Sequence, residues 1–488
     1  MKRRAFIKSL GLTAGVMGSA TIFSPMFGGG IFSQATAAIR PRSLDQVDFV
    51  LPTVMPQVIN VFLYGGPSEL AGNLTNIDEI NFQSKNKYPG NMLEDGNQKT
   101  VNGFWRAAGG EVMERMLAAK RLSVYRTVNR IDDNSRAHRP SIFSSLTGRT
   151  GVDNLRPGIA TNIVNFLSAN NAISETPRFP LATFDGESLV FNQSDNLPLA
   201  YKVLALNDRL ENPYTRTQNT VLGAGENALA TLAKKITEAN ASRFSKVASA
   251  FSNRDDIDTY VGVLQDAVIN GAPLDNPDFV DGSNQQNERD DTITYPNNPL
   301  GRRLKAAVGL LIDNPETLFV SLGTGGIGDW DDHNAALENN RYANRMQNLL
   351  RCLEVAAQNL EAAGKGNVVI NVYGEFGRNA NLNDSMGWDH GNCQNLYTVG
   401  ANPNAAGVTG SLPGRVLGKI VGETTVTGDA AQNRLFTTPT ASSYQCEPFA
   451  IAASVYKYFG VQNPEVLTGG YGAIDETGTE NLWIDPNA

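Results

Sequence analysis

The sequence predicts an α/β protein in which a mostly parallel sheet lies between layers of helices. Three observations carry this. Short apolar runs rich in β-branched and aromatic residues recur along the chain, Gly-rich or acidic loops follow them, and helical patterns stand between them. Near-continuous apolar runs suit parallel strands that are covered on both faces.

The first run is VINVFLY, residues 58–64, which ends in GGPSE. LSVYRTV (122–128) precedes NRIDDNSRAH, TLFVSL (317–322) precedes GTGGIGDWDDH, and VVINVY (368–373) precedes GEFGRN. A shorter run, LYTV (396–399), follows GWDHGN. Among the helical patterns, residues 341–363 place Met346, Leu349, Leu350, Leu353, Ala356, Ala357 and Leu360 on one stripe, and Gly364 with Gly366 ends it. Residues 228–251, 300–312 and 448–459 carry the same period.

At 488 residues the chain exceeds the size at which a single core usually stops growing, which predicts one large domain with an insertion. We place that domain at residues 38–488 and the insertion at about 190–300. Its last part, DGSNQQNERDDTITYPNNP, is polar and without periodicity and reads as an exposed loop.

The N-terminus stands apart. Arg3 and Arg4 are followed by Phe6, Ile7 and Lys8, then by a Gly- and Ala-rich stretch, and ATAA at 35–38 offers an A-x-A cleavage site. This resembles a twin-arginine export signal, so residues 1–37 are expected to be removed and the mature protein to reach the periplasm or cell surface. That segment holds four of the 41 positive charges and none of the 49 negative ones, so 37 minus 49 leaves a mature net charge of −12. Such a balance disfavours nucleic acid as a partner. No other apolar run approaches the ~20 residues of a membrane span, so no transmembrane anchor is expected in the mature chain.

Cys352, Cys393 and Cys446 are too few for a disulfide framework. Histidine is as scarce as cysteine. All three, His138, His333 and His390, stand on or beside strand-end loops, in SRAHRPS, GDWDDHN and GWDHGN. In open α/β sheets ligands sit beyond the carboxyl ends of the strands, so the three are expected to share one site. Asp331 and His333 fall on one face if the loop is extended, Asp329 and His333 if it turns helical, and either pair can offer an oxygen and an imidazole nitrogen to one cation. Asp389 serves either as a ligand or as a carboxylate fixing an imidazole tautomer. Mixed Asp/His ligation suits Zn²⁺, Mn²⁺ or Fe. Glu375 and Arg378 in GEFGRN reach the same rim, the first as ligand or base, the second as a clamp for phosphate or sulfate. Walker, dinucleotide-fingerprint, H-E-x-x-H, C-x-x-C and nucleophile-elbow motifs are absent.

Taken together, GGPS (65–68), SSLTGR (144–149), WDDH (330–333), EFGR (375–378) and DHG (389–391) resemble the domain of unknown function 1501 family, of the alkaline phosphatase and sulfatase superfamily. The resemblance implies an alkaline-phosphatase-like α/β fold with a metal site at the strand ends. It matches Asp331, His333 and His390 to one metal position, with Glu375 as a further candidate ligand. Phe376 stands where the superfamily has a histidine, and His138 where it has its nucleophile. The resemblance therefore implies at most one divalent ion, with His138 as nucleophile, base or ligand, Glu375 in a catalytic or ligand role, and Arg378 on the anion. An oxygen nucleophile has to be Ser135, Ser141 or water. Two functions follow as expectations: an exported metal-binding hydrolase-like protein acting on small phosphate or sulfate esters, or a non-catalytic binding or assembly protein with a protein partner and a degenerate site.

Overall fold

The computed structural model describes residues 44–206 and 295–475, apart from 45, 89–97, 134 and 185, with isolated residues between 228 and 293. The N-terminal segment expected to direct export, most of the helix expected at 228–251 and most of the polar loop at 281–299 lie outside the described residues.

The strands are β1 (Gln57–Leu63), β2 (Leu122–Asn129), β3 (Leu181–Thr183), β4 (Val203–Ala205), β5 (Leu274–Asp275), β6 (Thr292–Ile293), β7 (Phe319–Gly323), β8 (Val368–Gly374), β9 (Gly377–Arg378), β10 (His390–Gly391), β11 (Cys393–Val399), β12 (Ile420–Val421), β13 (Thr424–Asp429) and β14 (Arg434–Pro439). The helices are α1 (Ile77–Gln83), α2 (Gly110–Ala118), α3 (His138–Thr147), α4 (Ile159–Ala169), α5 (Pro299–Asp313), α6 (Arg341–Ala362), α7 (Phe449–Tyr458) and α8 (Glu465–Thr468).

Eight strands form the main sheet in the order β12-β2-β11-β8-β1-β7-β3-β4. All are parallel except β11, which runs antiparallel to both β2 and β8. The chain is thus α/β with a mostly parallel sheet between helices. The sheet continues to Ala205, inside the span expected as insertion, because β4 pairs with β3.

Every residue of β1 is buried. Its alternate side chains feed two cores. Ile59, Val61 and Leu63 pack with Val112 and Met113 of α2, Leu304 of α5 and Leu353 of α6. Val58 and Phe62 face the other way, toward Ile163 of α4 and Ile451 of α7. Full burial of such side chains stabilises the fold by ~1.5–3 kcal/mol each, and covering both faces explains why the strands read as unbroken apolar runs.

The reversal of β11 matters for the site. An antiparallel strand begins at the rim where its parallel neighbours end, so His390, just before β11, arrives beside the loops that leave β2, β7 and β8.

One buried carboxyl sets a pH dependence of stability. Glu69 is 1% exposed, its Oε1 accepts from the Thr437 hydroxyl, and its Oε2 has no partner among the described residues. Burial, opposed by the Thr437 hydrogen bond, pushes this carboxyl from 4.5 up to about 7. The folded form therefore holds a proton that the unfolded chain has released. The associated stability is complete below pH 4.5 and is lost as pH rises to about 7, a change of about 3 kcal/mol. We expect Glu69→Gln to be more stable than the parent at pH 8 and equal to it near pH 4, in urea titrations at the two pH values. An equal offset at both would show that Glu69 ionises normally.

Candidate metal centre

Gly65 and Gly387 let the rim close. A Cβ on Gly65, whose φ is +106°, would lie 2.3 Å from the Asp331 amide nitrogen, and one on Gly387 would lie 2.2 Å from the His333 carbonyl carbon. Only glycine permits these approaches, which bring the end of β1 and the loop before β10 against the loop after β7.

His138 opens α3, nine residues after β2, and His333 lies on the loop after β7. The ligand-capable atoms of His138, Asp331, His333 and His390 all lie within 4.8 Å of one another. The three imidazoles and Asp331 thus converge as the strand-end argument predicts.

Each imidazole is held from behind through Nδ1. His390 Nδ1 lies 2.6 Å from the Arg136 carbonyl, His333 Nδ1 lies 3.2 Å from Asp389 Oδ1, and His138 Nδ1 lies 3.1 Å from Glu375 Oε2. A carbonyl only accepts, so His390 Nδ1 carries the proton and its Nε2 carries a lone pair. His333 Nδ1 likewise donates to the Asp389 carboxylate. Yet the two Nε2 atoms stand 2.9 Å apart. Two lone pairs at that distance repel unless a proton or a cation lies between them. A tetrahedral ion with bonds of 2.0–2.1 Å spaces its ligand atoms about 3.3 Å apart, so one small divalent ion fits the donor set if the His333–His390 pair opens and the wider pairs, such as Asp331–His138 at 3.7 Å, draw in.

Asp331 completes the set. Its Oδ1 is 3.2 Å from His333 Nε2 and 3.8 Å from His390 Nε2, and its Oδ2 is 3.7 Å from His138 Nε2. Burial raises the Asp331 carboxyl, but the hydrogen bond and charge of Arg378, together with His333 and His138, outweigh it and hold the group below its ordinary value. Burial, the Arg378 guanidinium and the other two histidines push His390 down to about 4, against the Arg136 carbonyl. At neutral pH the site thus presents a carboxylate and an uncharged imidazole, the forms that bind metal. His138, Asp331 and His333 have side chains 37–41% exposed, so one face of the group is open. Phe376 walls another, with its ring 4.4 Å from that of His390 and 5.1 Å from that of His138.

Glu375 stands behind His138 and outside the four-residue group. Its Oε1 accepts from the Gly65 amide and its Oε2 faces His138 Nδ1, so its geometry is that of an orienting carboxylate and not of a ligand. Burial raises this carboxyl above its ordinary value, against the Gly65 amide, His138 and Arg378. Arg378 also differs from expectation. It is 1% exposed, and its donors go to the Gly65, Gly66, Trp330 and Trp388 carbonyls and to Asp331 Oδ1. A guanidinium so committed has no edge left for a substrate anion. Ser141 is fully buried and donates to the Ser135 carbonyl, whereas Ser135 is half-buried, which leaves Ser135 and water as the accessible oxygen nucleophiles. Cys393 is buried, with Sγ directed to the Arg126 carbonyl.

Sequence reasoning missed three supports. Arg130 donates to the Glu375 carbonyl and to Ser145, Asn383 bonds both the His333 carbonyl and Asp389, and Arg136 supplies the carbonyl for His390. Nothing local marks them, since each acts through a partner distant in sequence.

The family described as protein of unknown function (DUF1501) matches residues 55–438, well over half of the chain. The protein belongs to the DUF1501 family. This span holds every residue of the candidate centre. No curated protein matches the chain. Among solved structures, the DUF1501 chain is similar to Ps i-CgsB in complex with k-i-k-neocarrahexaose, at 11% identity and a TM-score of 0.35, covering 88% of this chain and 75% of that one. Ps i-CgsB alone gives 12% identity and a TM-score of 0.37 over the same shares. The lipoteichoic acid synthase LtaP from Listeria monocytogenes gives 9% identity and a TM-score of 0.34, over 89% of this chain and 80% of that one.

Proposed function

We propose that this DUF1501 protein is an exported, hydrolase-like protein that holds one divalent metal ion through His138, Asp331, His333 and His390 and acts on a phosphate or sulfate ester. The observation that carries the reading is the pair of Nε2 atoms 2.9 Å apart, each on a ring whose Nδ1 is already engaged. Zn²⁺ or Mn²⁺ suits three imidazoles and a carboxylate, and such an ion would supply a Lewis acid for an ester oxygen. The chain's own residues do the positioning. Glu375, Asp389 and the Arg136 carbonyl fix three ring orientations, Phe376 keeps water from one side, and the exposed face admits substrate. Export rests on the Arg3–Arg4 segment and its A-x-A site, and places the protein in the periplasm or at the cell surface.

The test is elemental analysis of purified protein, with hydrolysis of aryl phosphate and aryl sulfate esters before and after chelation. One equivalent of metal with chelator-sensitive turnover supports the reading, and protein that takes up no metal overturns it.

A second reading is favoured by Arg378. Its Nη1 lies 3.3 Å from His333 Nε2 while its Nη2 bonds Asp331 Oδ1, so a fixed positive charge competes for two of the proposed ligand atoms. On that reading the chain is a binding or assembly protein with a degenerate site, and metal without turnover is the expected result.

The carboxylate behind His138 gives a finer test. Glu375→Gln keeps the volume but withdraws the charge that makes the imidazole a stronger donor. Metal affinity should fall by about 10- to 100-fold, read by competition with a chelating dye. Unchanged affinity would remove Glu375 and His138 from the site together.

A further inference from the structure

A cleft of about 480 Å³ lies between the loop after β7 and the start of α6, within the ~300–1,000 Å³ range of small-ligand sites. It lies beside the metal-ligand loop and not over the four-residue group, and Ala335, two residues past His333, forms part of its wall.

Its chemistry is unusual for an accidental hollow. Four amides line it, from Asn298, Asn339, Asn344 and Asn348, together with the guanidinium of Arg345. Arg345 is 6% exposed, with Nη2 on both Asp332 oxygens at 2.5 Å and Cζ 5.2 Å from the centre of the Trp330 ring. Its Nε has no hydrogen-bond partner among the described residues. A buried donor left so costs about 1–3 kcal/mol.

Charge decides the kind of ligand. Arg341 and Arg345 both bond Asp332, and Glu338 stands at the rim, so two positive groups face two negative ones. The cleft has no net charge to attract an ion. The amides are only partly committed. Asn348 donates to the Asn344 carbonyl at 2.8 Å, Asn298 accepts from the Gly301 amide at 2.8 Å and donates to Asn348 Oδ1 at 3.4 Å, and Asn344 donates to the Asn339 carbonyl at 3.3 Å, while each amide has a further hydrogen or lone pair. Groups that both donate and accept at close spacing match hydroxyls. The rim is also shaped in advance, because Ala335, Asn339 and Asn340 hold φ of +48°, +50° and +54°. Asparagine tolerates that conformation and alanine is strained in it.

We propose that this cleft binds an uncharged, polyhydroxylated ligand, a hexose unit of a carbohydrate chain, with Arg345, Asn344 and Asn348 as its main contacts. The inference goes beyond the metal reading and does not need it.

The test is isothermal titration of the full protein, with and without chelator, using maltohexaose, cellohexaose, chitohexaose and a galacturonate hexamer, and inorganic sulfate as the ionic control. We expect at least one neutral hexamer to bind, to bind equally after chelation, and to lose tenfold or more in affinity in both Asn344→Leu and Asn348→Leu. Both asparagines lie on the outer side of α6, and thermal melts check that the variants fold. The proposal is overturned if no neutral hexamer binds, if only galacturonate or sulfate binds, or if the two variants bind as the parent does. Binding that requires the metal would also overturn it, whereas metal-free protein that still binds sugar separates this proposal from the fate of the ester-hydrolysis reading.

Discussion

His333→Ala is expected to leave a folded protein that no longer retains metal. His333 is the hinge of the group, since its Nε2 lies 2.9 Å from His390 Nε2 and 3.2 Å from Asp331 Oδ1, the two closest contacts among the proposed ligands. Its removal leaves the other donors without the atom that spans them. Loss of an orienting partner costs about 10- to 100-fold in metal affinity, so loss of a ligand itself should exceed 100-fold and take any ester turnover to background. The fold should tolerate it, because the His333 side chain is 37% exposed and the carbonyl that Asn383 Nδ2 bonds is main chain. Metal content by elemental analysis, set beside a circular-dichroism melt, reads both quantities. A variant that keeps one equivalent of metal with unchanged affinity would mean that the ion sits elsewhere and that the imidazole cluster is a hydrogen-bonded network only.

The legibility of this site in the sequence was uneven for physical reasons. Strand positions were readable because burial on both faces forces unbroken apolar runs, as in β1 and β8. The same logic placed His138 and His333 at one rim. The convergence of His390 was readable only as to its loop, since nothing in LYTV reveals that β11 runs antiparallel and starts seven residues long at Cys393. Ligand type was legible and ligand role was not. Glu375, expected as ligand or base, stands behind His138, itself expected as nucleophile, base or ligand, because which carboxylate meets the cation and which stands behind an imidazole depends on the main-chain amide of Gly65, more than 300 residues away in sequence. Arg378 is the clearest case. A guanidinium beside a Gly-rich loop reads as an anion clamp from composition, and becomes a structural brace once four main-chain carbonyls surround it.

That brace carries the second large expected effect, on stability. In Arg378→Met the carbonyls of Gly65, Gly66 and Trp388 lose their buried donor together, Trp330 keeps only the Asp332 amide, and Asp331 loses a partner at 2.6 Å. A buried carbonyl left without its donor costs about 1–3 kcal/mol. Asp331 is partly exposed and can recover water, so the desolvated carbonyls carry most of the loss. Lysine should rescue little. Its ammonium is a point charge with three donors, whereas the planar guanidinium reaches carbonyls on three separate loops at once. Urea denaturation of Arg378→Met and Arg378→Lys beside the parent measures this directly, and both variants are expected to lose several kcal/mol, the lysine form slightly less. If Arg378→Met instead unfolds within about 1 kcal/mol of the parent, the guanidinium is free to leave its carbonyls, and its assignment to an incoming phosphate or sulfate returns.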